Sequence, residues 1–252
     1  MDSYKLICDI SISLKFNGRQ PNAYGVEPAA SLACESGDMI GDTRRGGSVN
    51  FEQITLIPHC NGTHTECVGH ITNERISIRD CLRDAFLAAV LVSVEPENEN
   101  GEQVISRQAL EKALMSRATL ASQDQDVPTA LIIRTLPNDE SKLTRVYNAE
   151  NIPPYFASQA MELIMELGFK HLLVDLPSID RIYDDGKLTN HRIFWNVEPG
   201  SFETNPATRM NSTITELICV PGSVADGEYL LNLQIPPFES DAAPSRPLLF
   251  AL

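Results

Sequence analysis

Between Pro58 and His70 the chain collects three of its five histidines, two of its six cysteines and a glutamate. Imidazole, thiolate and carboxylate are the side chains that bind transition metals. Cys60, His64 and Glu66 are spaced by four and two residues, with Gly62 between the first two. A chain that leaves a strand and turns at a glycine would aim all three at one point. His70 follows four residues after Glu66, close enough to act on whatever a metal holds. The chemistry this spacing predicts is that of a metal hydrolase. The plainer alternative for the window alone is a polar turn of ordinary surface residues, so the rest of the chain has to supply partners.

The elements that would position such a group are readable. Phe86–Val94 and residues 129–134 are short apolar runs of the kind found in buried strands. Residues 106–115 carry helical spacing at Ala109, Leu110, Ala113 and Leu114, with Ser106 as N-cap. A second helix follows Pro153 and Pro154, with Phe156, Ala160, Leu163, Ile164 and Leu167 on one face and Gly168 just past its end. Residues 171–175 form another apolar strand, and strand-helix-strand order predicts a right-handed crossover between parallel strands. Residues 47–57 and 214–235 alternate or are β-rich, broken by Pro and Gly, which suits antiparallel or barrel strands. Residues 95–101 and 136–141 read as exposed loops. With no repeat and no linker, the expectation is one α/β domain over residues 1–252.

Bulk composition narrows the partners. A formal charge of −14 disfavours nucleic acid and anionic membranes, both of which need basic surface. Hydrophobic residues at 42% and charged residues at 21% are those of an ordinary globular protein. No apolar run approaches the roughly 18–20 residues that span a bilayer. The start lacks a basic segment followed by an apolar one, so no signal peptide is expected. Cys8, Cys34, Cys60, Cys67, Cys81 and Cys219 are scattered, without the spacing of a disulfide framework. A reducing cytoplasm is the expected location.

The window resembles the H-x-G-T-H-x-D-x-P-x-H signature of the metal-dependent hydrolases called the cyclase family, which includes bacterial kynurenine formamidases and relatives acting on isatin and dienelactones. Further segments are similar in the right order: Asp9-Ile10-Ser11, Gly47-Ser48-Val49-Asn50, the Val174 to Asp180 stretch with Asp175, Pro177 and Ser178, Asn190-His191-Arg192-Ile193-Phe194, Ile214 to Leu217, and the closing Gly227 to Pro247 region. The resemblance implies a mixed β-sheet or barrel with flanking helices, of the swivelling β/β/α type. It implies that His64 is a metal ligand, that His191 and Glu216 are distal ligands, and that His70 is a general base. Glu66 stands in the place of the signature's aspartate and Cys60 in the place of its first histidine. His59 is the alternative donor there; counting back four from His64 favours Cys60, and alternation along a strand would let only one of the two face the site. Val68 replaces the signature's proline, and Cys67 reads as a small buried hydrophobe.

The implied activity is cleavage of a C–N amide or formamide bond by a metal-activated water. The alternatives are a hydrolase of a cyclic amide or lactone and a catalytically inactive metal-binding homologue. Zinc, as one or two ions, is the expected cofactor, with manganese possible. A small-molecule substrate and a homodimer or homotetramer are implied. A Ser-His-Asp hydrolase is disfavoured because no G-x-S-x-G elbow is present; a cysteine nucleophile at Cys60 or Cys67 is a further alternative. Asp180 is expected either to orient a ligating histidine or to form a turn, Phe194 and Trp195 to pack the core, and His171 to lie at a strand edge or on the surface. Phe16, Pro21 and Tyr24 are the N-terminal candidates for substrate contact.

Overall fold

The computed structural model describes residues 4–115 and 128–252; residues 1–3, part of the start read for a signal peptide, lie outside the described residues. Its largest sheet has nine strands: β1 (Leu6–Asp9), β2 (His64–Glu66), β3 (Phe86–Val94), β4 (Ala130–Thr135), β5 (His171–Val174), β6 (Thr213–Glu216), β7 (Gly227–Asn232), β8 (Ala242–Pro244) and β9 (Leu248–Phe250). In space they run β1-β9-β7-β3-β4-β5-β6-β2-β8. The centre, β3 through β6, is parallel. Both margins pair antiparallel, β7 on β3 and β2 on β6. The expected mixed α/β class is what the chain adopts.

The apolar runs account for the centre. On β3, Val90, Val92 and Val94 face one side while Leu87, Ala89 and Leu91 face the other. On β4, Leu131 and Ile133 oppose Ala130 and Ile132 in the same way. A strand buried on both faces has no polar stripe, and each fully buried Val, Leu or Ile contributes about 1.5–3 kcal/mol. Among the described residues, three α-helices longer than a single turn accompany the sheet, α1 (Arg107–Met115), α2 (Ser158–Glu166) and α3 (Thr189–Trp195). Ser106 caps α1 through its hydroxyl, which accepts from Ala109 N at 3.0 Å. Gly168 takes a left-handed φ of 80° past the end of α2, the position the sequence assigns it.

Two expectations need correction. Phe156 lies in the short strand Tyr155–Phe156, parallel to Glu102–Ile105, and Leu167 is exposed; Met161 completes the buried face of α2 instead. His171 is buried at 1% exposure, not at an edge, because β5 lies between β4 and β6, where its Nδ1 meets Thr213 Oγ1 at 2.9 Å. Among the described residues no helix is long and apolar enough to cross a membrane.

Candidate metal centre

The group forms where the carboxyl ends of β5 and β6 meet β2, a usual place for sites in open α/β sheets. His64 and Glu66, two apart on β2, share a face. Glu216, the last residue of β6, stands opposite His64 in antiparallel register. Leu217 then turns the chain with a φ of 54°, a left-handed conformation unusual for leucine, and ends the strand at the site. His191 enters from α3. The resulting separations are 3.5 Å from His64 Nε2 to Glu216 Oε2, 3.0 Å from His191 Nε2 to Glu66 Oε1 and 3.7 Å from His191 Nε2 to Glu216 Oε1. All four side chains are buried.

Each imidazole is oriented from behind. His64 Nδ1 donates to Gly62 O at 3.0 Å, and His191 Nδ1 donates to Asp180 Oδ2 at 2.6 Å. Asp180 also accepts from Asn190 N at 2.7 Å. This is the arrangement by which metal-ligating histidines are held, with Nε2 turned inward. Glu216 Oε1 accepts from Ile179 N at 3.0 Å. Burial opposes charge on both imidazoles, yet the carboxylates win: Glu216 and Glu66 lift His64 above its ordinary value, and Asp180 and Glu66 lift His191 well above it. Burial likewise opposes charge on Glu66, but His70, His191 and His59 hold its carboxyl far below the usual range.

A second group lies on the other side of Glu66. Residues Pro58–Asn61 form one helical turn, not a strand, and Gly62 is extended with a φ of 178°. The turn at a glycine expected from the sequence is therefore made by the helical turn. Successive helical residues diverge by about 100°, so His59 and Cys60 both line the cavity and strand alternation does not choose between them. His59 Nε2 lies 3.4 Å from Glu66 Oε2 and 3.1 Å from Asp241 Oδ2. His70, on the 3₁₀ turn Val68–Ile71, places Nδ1 3.3 Å from Asp241 Oδ2 and 3.9 Å from Glu66 Oε2. Gly69 is required beside it, since a Cβ there would sit 2.1 Å from Ile76 O. The His59 and His70 rings stack at 4.4 Å. The ligand atoms of His59, Glu66 and His70 lie within 4.8 Å of one another, as do those of His64, Glu66 and Glu216; Cys60 and His191 belong to neither group, His191 joining the inner one through Glu66 and Glu216. Burial and nearby Glu216 push the Cys60 thiol up to about 11.

His59, Cys60, Glu66, His70, His191 and Glu216 border a cavity of about 610 Å³, walled by Ile57, Pro177 and Leu188 with Tyr24 and Tyr183 edge to face at 6.0 Å. Arg181 is the only guanidinium or ammonium group among the described lining residues, and Glu102 takes it at 2.7 Å. A larger cavity of about 900 Å³ between α2, α3 and residues 196–202 has none of these ligands. The buried carboxylates Glu66 and Glu216 thus have imidazoles but no lysine or arginine to balance them. His64 Nε2 and Glu66 Oε2 are buried without a hydrogen-bond partner. Nitrogen and oxygen donors converging with unused lone pairs fit a divalent cation.

The family model named Cyclase matches residues 8–181. The chain belongs to the cyclase family. No curated protein matches it. Among solved structures, a protein described as a predicted metal-dependent hydrolase from Bacillus stearothermophilus aligns at 16% identity and a TM-score of 0.64, over 99% of this chain and 100% of its own. Isatin hydrolase A from Labrenzia aggregata, bound to benzyl benzoate, aligns at 12% identity and 0.64, over 97% and 93%. Isatin hydrolase A from Ralstonia solanacearum aligns at 12% and 0.60, over 97% and 91%. These likenesses establish a shared cyclase-family fold.

Within this cyclase-family chain, His191 and Glu216 lie beyond the matched residues, yet the fold returns them to His64 and Glu66. Asp180 orients His191, and Phe194 and Trp195 are fully buried, with the Trp195 ring 5.5 Å from that of His191. Cys67 is core. Of the N-terminal candidates, Tyr24 lines the cavity, whereas Phe16 and Pro21 do not. Sequence reasoning missed Asp241 and Tyr183. Asp241 is 171 positions from the histidine it meets and precedes an unremarkable strand; no local spacing marks it.

Proposed function

We propose that this cyclase-family chain is a metal-dependent hydrolase that cleaves the C–N bond of a formamide or related amide. The observation that carries the reading is the buried convergence of His64, Glu66 and Glu216 beneath a cavity of small-molecule size, with His191 Nε2 3.0 Å from Glu66 Oε1. Those four would hold the cation. Zinc is the proposed ion, and the same nitrogen and oxygen donors also accommodate manganese. When bound, a divalent cation supplies Lewis acidity toward a carbonyl oxygen and toward water.

The chain's own groups do the rest. Glu66 and Glu216 offset positive charge on the inner side. His70 stands at the cavity wall outside the inner group, with Nδ1 against Asp241, so its Nε2 would carry a proton from water to the departing nitrogen. Imidazole suits that exchange near neutrality. Ile57, Pro177 and Leu188 exclude water from the substrate's apolar part, and Tyr24 with Tyr183 frames the mouth. A cyclic amide is the second reading, favoured by the isatin hydrolases among the structural neighbours.

The test is a substrate screen on chelator-stripped and metal-restored protein, using formamides, isatin-like lactams and lactones. The reading expects turnover of a formamide or lactam only when metal is restored. Fully metal-loaded protein that hydrolyses none of them overturns it.

A further inference from the structure

Arg192 is buried at 6% exposure, and a guanidinium is seldom buried without a carboxylate beside it. Here its partners are backbone carbonyls. Nε donates to Lys187 O at 2.9 Å, and Nη1 donates to Glu198 O at 3.2 Å and to Ser201 O. Among the described residues no carboxylate pairs with it and Nη2 finds no acceptor, which leaves a full positive charge and free N–H bonds. His191, one position earlier on α3, lines the metal cavity, whereas Arg192 lines the cavity of about 900 Å³ behind that helix.

The rest of that cavity is apolar and already shaped. The Phe202 ring lies 5.5 Å from the guanidinium and is 55% exposed, and Met165, Ile193 and Val197 extend the apolar wall. The wall is pinned by the carbonyls that Arg192 holds and by Phe202 O, which accepts from Asn73 N at 2.8 Å. A preformed cavity of this size, apolar with one convergent charge, has the form of a small-molecule site. The charge sets the ligand class, because the planar fork of arginine matches a carboxylate. The bordering acids do not take that place. Glu166 is engaged by Arg107 at 2.7 Å, and Glu162 and Glu198 are exposed, where water and salt screen them. Lys187 has Asp185 at 3.7 Å. We infer that the cavity behind α3 binds a small organic monocarboxylate with an aryl or alkyl body, its carboxylate on Arg192 and its apolar part on Phe202. This site does not depend on the proposed hydrolase reading.

The test titrates the full chain in a calorimeter with 3-phenylpropionate and with its neutral isostere 3-phenylpropanamide. The acid should bind with a Kd below about 1 mM, and the amide about 10-fold or more weakly, the difference between a charged and a neutral hydrogen-bond partner. Phe202→Ala, a change at an exposed ring, should weaken the acid by about 5-fold or more. Arg192→Gln should abolish the preference for acid over amide; if that variant does not fold, the acid–amide pair and Phe202→Ala still decide. Crystals soaked in 3-(4-iodophenyl)propionate should show an anomalous iodine peak beside Phe202. No binding of the acid at millimolar concentration, equal affinity for acid and amide, or unchanged affinity in Phe202→Ala overturns the site. So does an iodine peak found only in the cavity of His191 and Glu216.

Discussion

Glu66 faces two pairs of histidines, and the pairs are built differently. On the inner side His64 and His191 are buried, backed by a carbonyl and by Asp180, and set on a strand and a helix of the sheet framework. On the outer side His59 and His70 stand on single turns, partly exposed, and share Asp241. The same residue types thus serve two purposes according to what surrounds them. Buried, oriented donors suit retention of a cation; water-accessible imidazoles suit proton transfer.

Breaking the inner side should have the largest effect. His191→Ala or Glu216→Gln is expected to remove the tight cation and reduce turnover to that of chelated protein, checked by metal analysis and a substrate assay. On the outer side His70→Ala should keep the tight cation and lose about two to four orders of magnitude in turnover. Equal cation loss in both variants would erase the distinction between the pairs. Asp180→Asn acts one step back: it should weaken cation affinity by about 10–100-fold without changing stoichiometry, measured by competition with a chelator.

His171 sharpens the comparison as a buried imidazole whose Nδ1 contacts a threonine hydroxyl instead of a carboxylate. Burial lowers it to about 4, whereas the carboxylates lift His64 and His191. Unfolded, a histidine takes a proton near pH 6.5, so between that pH and about 4 the folded chain binds fewer protons. Stability is therefore full above about pH 6.5 and falls as pH drops toward 4, by up to about 3 kcal/mol. Urea unfolding at pH 7 and pH 5 should show His171→Gln losing less of its midpoint than the wild type. Cys60→Ser should have the smallest effect, with cation content unchanged. The sequence alone predicts a fall in zinc content for that variant, whereas the clustered ligand atoms do not include its sulfur.

The parallel centre was legible because strands buried on both faces tend to be continuously apolar, as 86–92, 130–133 and 172–174 are. The inner group could be named because His64 and Glu66 keep a period of two and because His191 and Glu216 lie in motifs that resemble a family; the structure brings the four side chains together. On the outer side His70 was named from its motif, but the way His59 and Asp241 gather around it was not legible. Choosing between His59 and Cys60 depended on a strand that is in fact a helical turn, a distinction four residues beginning with proline do not carry. Asp241 reaches the site through β8 pairing with β2, a long-range contact that leaves no periodic mark. His171 was misplaced because a histidine at the start of an apolar run reads as a boundary until the neighbouring strands are known.

Crystals of zinc-loaded protein, measured at and below the zinc absorption edge, test the central claim most directly. A strong anomalous peak enclosed by His64, Glu66, His191 and Glu216 is expected. A zinc ion held by Cys60 Sγ and remote from His191, or no anomalous peak among those four residues at full zinc occupancy, would contradict it.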